Sequence, residues 1–363
     1  MNTCRGDRRS PLPLPSPLPS PIGMGEGEEK KNRPSNSVET NKKRNLFFYL
    51  VAATSLLFGT ASPQAQTERV TLGYPATAMS HFPAFVGREF GQFKDEGLDV
   101  QLVRVSGNVV VAALLSGELG YTTSGDGTIR SAVLGLPIKM LAAIGVKPSL
   151  SLIVRPEIKT VADLKGKAIA ISTPGTTTDF TAREIVKHYG LNPDRDITTI
   201  GMGDQPQRMA AMQSCTAAGA IVTPPNDLKA EAQGFRLLVF SGDIMEDSIL
   251  GVLGTSERRI KERPDQVKKM VRAIVRSLIF IRQQPEKVIN FAQRFWKLDR
   301  KQAEKSYELI VKTMSRDGSA TDAAMQAAIY QAKVTSKIQK DISPAQAVDF
   351  SFLQQVQQEL KLR

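Results

Sequence analysis

From Gln66 onward the chain switches repeatedly between two hydrophobic periods. Leu98–Val105 (LDVQLVRV) alternates apolar and polar residues, the pattern of a strand with one buried face. Short β-rich runs stand at Val70–Tyr74, Leu119–Thr123 and Ile138–Ile144. Between them the spacing predicts helices over Pro83–Phe93, Val109–Ser116 and Gly127–Leu134. Gly117 and Gly135 stop the last two, because glycine accepts the left-handed residue that commonly ends a helix. The same order then returns. Strands are predicted at Ala168–Ile171, Ile197–Ile200, Ala220–Val222 and Arg236–Phe240, with helices over Asp179–Tyr189, Gln205–Ser214 and Leu228–Gln233. Strands alternating with helices imply parallel or mixed sheets covered by helices.

Beyond about residue 255 the pattern becomes helical. Pro264–Gln283 places Val267, Met270, Val271, Ile274, Val275, Leu278 and Ile281 on one face. Further helices are expected to begin near Pro285, Asp299, Asp322 and Pro344, where proline or an acidic residue suits the first turn. A helical tail of this length must cover something, and the first α/β unit is the expected surface.

The two α/β stretches are weakly repeated. GRE at Gly87–Glu89 aligns with ARE at Ala182–Glu184, an offset of 95. ALLSGELGYTTS from Ala113 aligns with AMQSCTAAGAIV from Ala211, an offset of 98.

The first 65 residues have another character. SPLPLPSPLPSPIG at 10–23 can form neither a ladder nor a helix, and 24–41 is polar with mixed charge. Lys42–Arg44 then precedes the apolar run Leu46–Phe58 and the small residues Gly59–Ala61 and Ala65, the grammar of a secretory signal cleaved after Ala61 or Ala65. The run falls short of the roughly 20 residues that span a bilayer. The expected organisation is a disordered leader at 1–45, a signal core and cleavage region at 46–65, the first part of lobe 1 at 66–150, lobe 2 at 151–250, and completion of lobe 1 with the C-terminal helices at 251–363.

Composition narrows the function. The net charge of +12 is dispersed through helices with acids between the bases, and no basic–aromatic stripe appears, so nucleic acid is not expected as a partner. Two cysteines without CxxC spacing and two histidines offer no metal pattern, and no cofactor is expected. The chain has no GxSxG, HExxH, P-loop or GxGxxG in a catalytic setting.

Four segments carry a resemblance: GREFGQFKDEGLDVQL from Gly87, ALLSGELGYTTSGDGTIRSAVLGLPIKMLAA from Ala113, TVADLKGKAIAISTPGTTTDFTAREIVKHYGLNP from Thr160 and PDQVKKMVRAIVRSLIFI from Pro264. They resemble the nitrate/sulfonate/taurine and thiamine-pyrimidine-precursor branch of periplasmic solute-binding proteins that serve ABC importers. The chain departs from that pattern at Gly120 and Ala218, where an aspartate is usual, and at Cys215, where glycine is usual. The resemblance implies an α/β, two-lobed, type II-like periplasmic-binding-protein fold, with a helical C-terminal extension packed on lobe 1. It further implies a monomer that takes a small-molecule ligand in the cleft and delivers it to the membrane permease of an ABC importer, without being an enzyme. A pyrimidine-synthase-like enzyme and an extracytoplasmic sensory module are the alternatives.

In such sheets ligands sit beyond the carboxyl ends of strands. Five loops qualify. The first offers Ser80 and His81 as hydrogen-bonding groups and Phe82 as a stacking ring. The second carries Ser106 and Asn108, and Asn108 equally suits a helix cap. The third is Gly-rich, with Ser124, Gly125 and Asp126. The fourth is the strongest candidate, joining Thr173, Gly175, Thr176, Thr177, Thr178 and Asp179 at a helix start. The fifth contributes Thr223. His188, late in a helix, reads as structural, and Cys215, near a helix end, is expected to be buried and unreactive.

Overall fold

The computed structural model describes residues 67–105, 107–245, 249–339 and 341–362, without the side chains of 107 and 108. The expectations for the leader and export signal, for Ser106 and for the Asn108 side chain therefore lie outside the described residues.

The chain enters on β1 (Glu68–Tyr74) and continues through α1 (Phe82–Glu89), α2 (Gln92–Asp95), β2 (Leu98–Arg104), α3 (Gly107–Ser116), β3 (Tyr121–Ser124), α4 (Gly125–Val133) and β4 (Ile138–Gly145). It then crosses to a second unit made of β5 (Ser151–Val154), β6 (Lys167–Ile171), α5 (Thr177–His188), β7 (Ile197–Gly201), α6 (Gln205–Gln213), β8 (Gly219–Val222), α7 (Asn226–Ala232) and β9 (Arg236–Phe240). It returns through β10 (Gly251–Ser256) to the first unit. There it closes with α8 (Glu257–Glu262), α9 (Pro264–Gln283), α10 (Pro285–Trp296), α11 (Arg300–Thr313), α12 (Asp322–Ser336), α13 (Pro344–Ala347) and α14 (Ser351–Glu359).

Two sheets of five strands result among the described residues, ordered β2-β1-β3-β10-β4 and β7-β6-β8-β5-β9. They share one plan. Glu68 pairs with Leu98 in the first and Lys167 with Ile197 in the second, in parallel and at the same sequence spacing. The fourth strand of each order, β10 or β5, runs antiparallel to both its neighbours. Each of these strands follows directly on a crossing from the other unit, so the two lobes are tied by two chain crossings.

The repeat extends to helix ends. The Leu119 amide donates to the Ala113 carbonyl at 2.9 Å, and the Ala217 amide to the Ala211 carbonyl at 3.0 Å. The turn before each is left-handed, with φ +90° at Gly117 and +63° at Cys215. A non-glycine residue in this region is uncommon, yet Cys215 takes the left-handed conformation that Gly117 takes at the matching turn of the first repeat, and this turn leaves it exposed, where burial was expected.

The helix anticipated over 83–93 is divided at Gly91, which has φ +85° and separates α1 from α2. Neither β5 nor β10 stood out in the hydrophobic pattern. β10 is buried on both faces and carries glycines where the chain is crowded: a Cβ on Gly251 would collide with the Ser80 carbonyl oxygen. α9 buries all seven apolar residues of its predicted face, each worth about 1.5–3 kcal/mol relative to exposure. It shares the lobe 1 core with Phe82, Phe85, Phe93, Phe291 and Trp296. The C-terminal helices thus pack on lobe 1, while lobe 2 has its own core around Ile169, Ile185 and Ile221.

Candidate binding site between the lobes

A cavity of about 560 Å³ lies where the two lobes face each other, within the ~300–1,000 Å³ usual for small-molecule sites. Lobe 1 lines it with Pro75, Ala76, Ala78, Ser80, His81, Arg104 and Asp126, and lobe 2 with Ser172, Thr173, Thr176–Thr178, Gly203–Gln205, Gln207, Arg208 and Thr223. Leu150 and Leu250, one on each chain crossing, complete the wall.

The threonine-rich loop leads from β6 into α5, which begins at Thr177, two residues earlier than the anticipated start at Asp179. Gly175 turns the loop with φ +75°, a conformation that glycine takes without steric cost. The hydroxyls of Ser172, Thr176 and Thr178 lie 2.8–3.0 Å from one another, and Thr176 Oγ1 also donates to the Thr173 carbonyl. Thr177 Oγ1 accepts from Gln331 Nε2 of α12 at 3.0 Å. Asp179 is turned to structure: Oδ2 accepts the Gly175 amide at 2.8 Å and Oδ1 the Arg183 Nε at 3.0 Å. Its charge is thereby opposed, and neither Asp179 nor Gly175 lines the cavity.

The α6 start supplies residues that the strand-end argument did not single out. Asp204 caps the helix, accepting the Gln207 amide at 3.1 Å. Burial works against its ionisation, but the Gln207 amide and the Arg104 guanidinium outweigh it and hold the carboxyl below its ordinary range. Arg208 is 5 % exposed, with Nε donating to the Asp204 carbonyl at 3.4 Å and Nη1 to the Ile221 carbonyl. Burial pulls its pKa down to about 10, against the opposing influence of Asp204, so it is still cationic near neutrality. Its remaining edge is unclaimed by any carboxylate among the described residues. A signal for Arg208 was present: Ala211 and Met212, three and four residues on, belong to the buried face of α6, so the arginine falls on an apolar stripe. Gln205 Nε2 donates to Thr223 Oγ1 at 2.6 Å while its oxygen accepts the Thr223 amide at 2.9 Å, leaving the Thr223 hydroxyl proton free to be donated.

Across the cleft, His81 is 5 % exposed and its Nδ1 has no hydrogen-bond partner. Burial pushes its pKa down to about 4, against the pull of Asp126 and a backbone hydrogen bond at Thr123, so the ring is neutral at pH 7. Ser80 and Asp126 stand beside it on the cavity wall.

Three first-lobe candidates belong elsewhere. Phe82 is fully buried, its ring centroid 4.4 Å from that of Trp296 and 5.4 Å from that of Phe291, so it supports the core instead of stacking on a ligand. Ser124 is buried as the α4 cap, accepting the Gly127 amide at 3.3 Å. Gly125 makes room for the crossing chain, since a Cβ there would stand 2.6 Å from the Leu250 carbonyl oxygen. His188 lies in α5, outside the cavity.

The family model described as NMT1/THI5 like matches residues 78–288, more than half of the chain, and the chain belongs to that family. It is 27% identical over 282 residues to a Brucella abortus protein provisionally named as a binding protein, covering 75% of this chain and 87% of that one. It is 26% identical to the riboflavin-binding protein RibY of Chloroflexus aurantiacus, over 65% of this chain and 70% of the relative. Among solved structures, the periplasmic nitrate-binding protein NrtA from Synechocystis superposes with a TM-score of 0.65 at 14% identity, over 82% of this chain and 90% of that one. The periplasmic aliphatic sulphonate binding protein SsuA from Escherichia coli does so with 0.63 at 17%, over 79% and 99%. The fold is that of the periplasmic binding proteins.

Proposed function

We propose that this chain is the extracytoplasmic solute-binding component of an ABC importer, closing its lobes on a small organic or anionic solute of sulfonate-, nitrate- or pyrimidine-like chemistry. The carrying observation is the inter-lobe cavity with the buried, cationic Arg208 on its wall. A buried charge without a carboxylate partner is costly, and an anionic or strongly accepting ligand group offsets that cost. On the same wall the Thr177 and Thr223 hydroxyls accept from Gln331 and Gln205 and so keep their own protons for donation as neutral donors.

The relatives named as binding proteins support this reading. In it the N-terminal segment directs export, the protein works as a monomer in the periplasm, and the closed form is recognised by the permease. The test is a thermal-shift screen of the purified protein against alkanesulfonates, nitrate, aromatic acids and pyrimidines, since a ligand that binds only the folded state raises its melting temperature. A saturable shift is expected with at least one of these classes. A folded protein that none of them stabilises would remove the reading.

A further inference from the structure

A second cavity, of about 490 Å³, lies at the other end of lobe 1. β1 leads into the inter-lobe cavity through Pro75, whereas its first residues, Glu68 and Arg69, line this one. The strand is seven residues long, so the two cavities stand roughly 20 Å apart. Every side chain lining the second cavity is polar or charged, which excludes an apolar occupant.

Its charges do not cancel. Four arginines, Arg69, Arg258, Arg259 and Arg263, face two glutamates, Glu68 and Glu262, an excess of two positive charges. Glu68 is already engaged by Lys269 Nζ at 3.1 Å and by Gln266 Nε2 at 2.9 Å. Arg258, Arg259 and Arg263 make no ion pair among the described residues.

Arg259 is held in place from below. Its Nη1 donates to Gln266 Oε1 at 2.7 Å, and its guanidinium lies over the Tyr121 ring, 5.5 Å from the centroid. Gln266 and Tyr121 are both buried, and the Tyr121 hydroxyl donates to the same Gln266 oxygen at 3.2 Å. Arg258 Nη2 donates to the Ser116 carbonyl at 3.2 Å. Two glycines make room for the pair: a Cβ on Gly117 would stand 2.5 Å from Arg258 Nη2, and one on Gly120 3.3 Å from Arg259 Cζ. Two neighbouring guanidiniums are thus positioned with most of their N–H groups unused.

The repeat in lobe 2 shows the self-sufficient alternative. There β5 takes the place of β10, and the Arg155 amide donates to the carbonyl of Ala218, the counterpart of Gly120, at 3.0 Å. Glu157 supplies the carboxylate, 2.8 Å from Arg155 Nε. Lobe 1 offers Arg258 and Arg259 no such carboxylate among the described residues, so the oxyanion has to come from outside.

We infer that this cavity binds a phosphoryl dianion, either free phosphate or the phosphomonoester headgroup of a lipid. The planar N–H edge of an arginine meets two phosphoryl oxygens at once, and two negative charges match the excess on the wall. Arg258 and Arg263 are exposed, so a phosphate carried on a larger body also reaches them. The site is separate from the inter-lobe solute and does not depend on it.

The test uses the full chain carrying Arg208→Met, which removes the cation of the inter-lobe cavity. Inorganic phosphate, pyrophosphate and succinate are titrated calorimetrically. Co-sedimentation is measured with phosphatidylcholine vesicles, with and without phosphatidic acid. Two further variants, each lacking two positive charges and checked for folding by circular dichroism, are compared. One carries Arg258→Gln with Arg259→Gln, and the other Lys312→Gln with Arg316→Gln, two exposed residues elsewhere on lobe 1. Saturable binding of phosphate or pyrophosphate is expected, tenfold or more weaker in the first variant and unchanged in the second, with succinate at least tenfold weaker than phosphate. Co-sedimentation that requires phosphatidic acid and shows the same dependence, without binding of the free anions, would also support the site and assign it to a headgroup. If the Arg258/Arg259 variant does not fold, Arg263→Gln, which alters only an exposed side chain, is expected to weaken binding threefold or more. Equal loss in both double variants would show a diffuse surface field and overturn the inference. So would equal binding of succinate and phosphate, or no binding of any phosphoryl probe, and each of these results would leave the inter-lobe reading standing.

Discussion

Arg104, the last residue of β2, donates Nη2 to Oδ2 of Asp204 at 2.9 Å, and the pair joins the two lobes at the margin of the cavity. Two lesser ties accompany it: the Met79 amide donates to the Pro224 carbonyl at 3.3 Å, and Gln331 reaches Thr177. All three must break for the lobes to part, so they bias the resting position of the hinge.

An ion pair with these side chains 52% and 33% exposed is screened by water and contributes about 0.2–1 kcal/mol. Arg104→Gln should therefore weaken ligand affinity by no more than about fivefold. The difference from wild type should shrink at high salt, where surface charges are screened. Calorimetric titrations at two ionic strengths check this. A hundredfold loss would instead place Arg104 on the ligand.

Phe82→Ala should destabilise the fold by about 3–5 kcal/mol, because the ring is fully buried against Phe291 and Trp296 and the site cannot collapse completely. Below its lowered melting temperature the variant should still bind. Chemical denaturation together with ligand titration separates the two effects. Loss of binding with unchanged stability would contradict the placement of Phe82 in the core.

Much of this fold is legible in residue order. The strand Leu98–Arg104 and the helix Pro264–Gln283 stand where their periods put them, because each has one face in a core and one toward solvent. β5 and β10 escaped notice because they are short and fully buried, so neither shows alternation, and the glycines of β10 read as a loop. The chain reversal that makes them antiparallel is a long-range event with no local signal. Loop position pointed toward Ser80, His81, Asp126, the threonines 173 and 176–178, and Thr223 as lining residues. It failed for Phe82, Ser124, Gly125, Gly175 and Asp179, whose neighbours in space are core rings, helix amides, a crossing strand or Arg183. It also passed over Arg104 and Arg208, since an arginine inside a strand or helix usually faces solvent.

His81 gives a pH signature. Its folded pKa near 4 lies below the ordinary 6.5, so between these values the unfolded chain binds the proton and the native state does not. Stability from this group is therefore complete above about pH 6.5 and is lost as pH falls toward 4, at about 1.4 kcal/mol per pH unit. Comparing denaturant unfolding of wild type and His81→Phe from pH 7.5 to 4.5 isolates the effect from other acids. The wild type should lose on the order of 2–3 kcal/mol more than the variant over that range. Parallel curves would show that folding leaves the proton affinity of the ring unchanged and would contradict its burial as a neutral group.

The central claim is that a solute is held between the lobes on Arg208, and its most direct measurement is the affinity of Arg208→Met for the ligand found by the thermal-shift screen. A hydrogen bond to a charged group is worth about 1.5–3 kcal/mol, so the variant should bind at least about tenfold more weakly while keeping its fold. Arg208→Lys should not restore binding, because a single ammonium cannot hold the Asp204 and Ile221 carbonyls and also face the ligand. Unchanged affinity in a folded Arg208→Met protein would contradict the account.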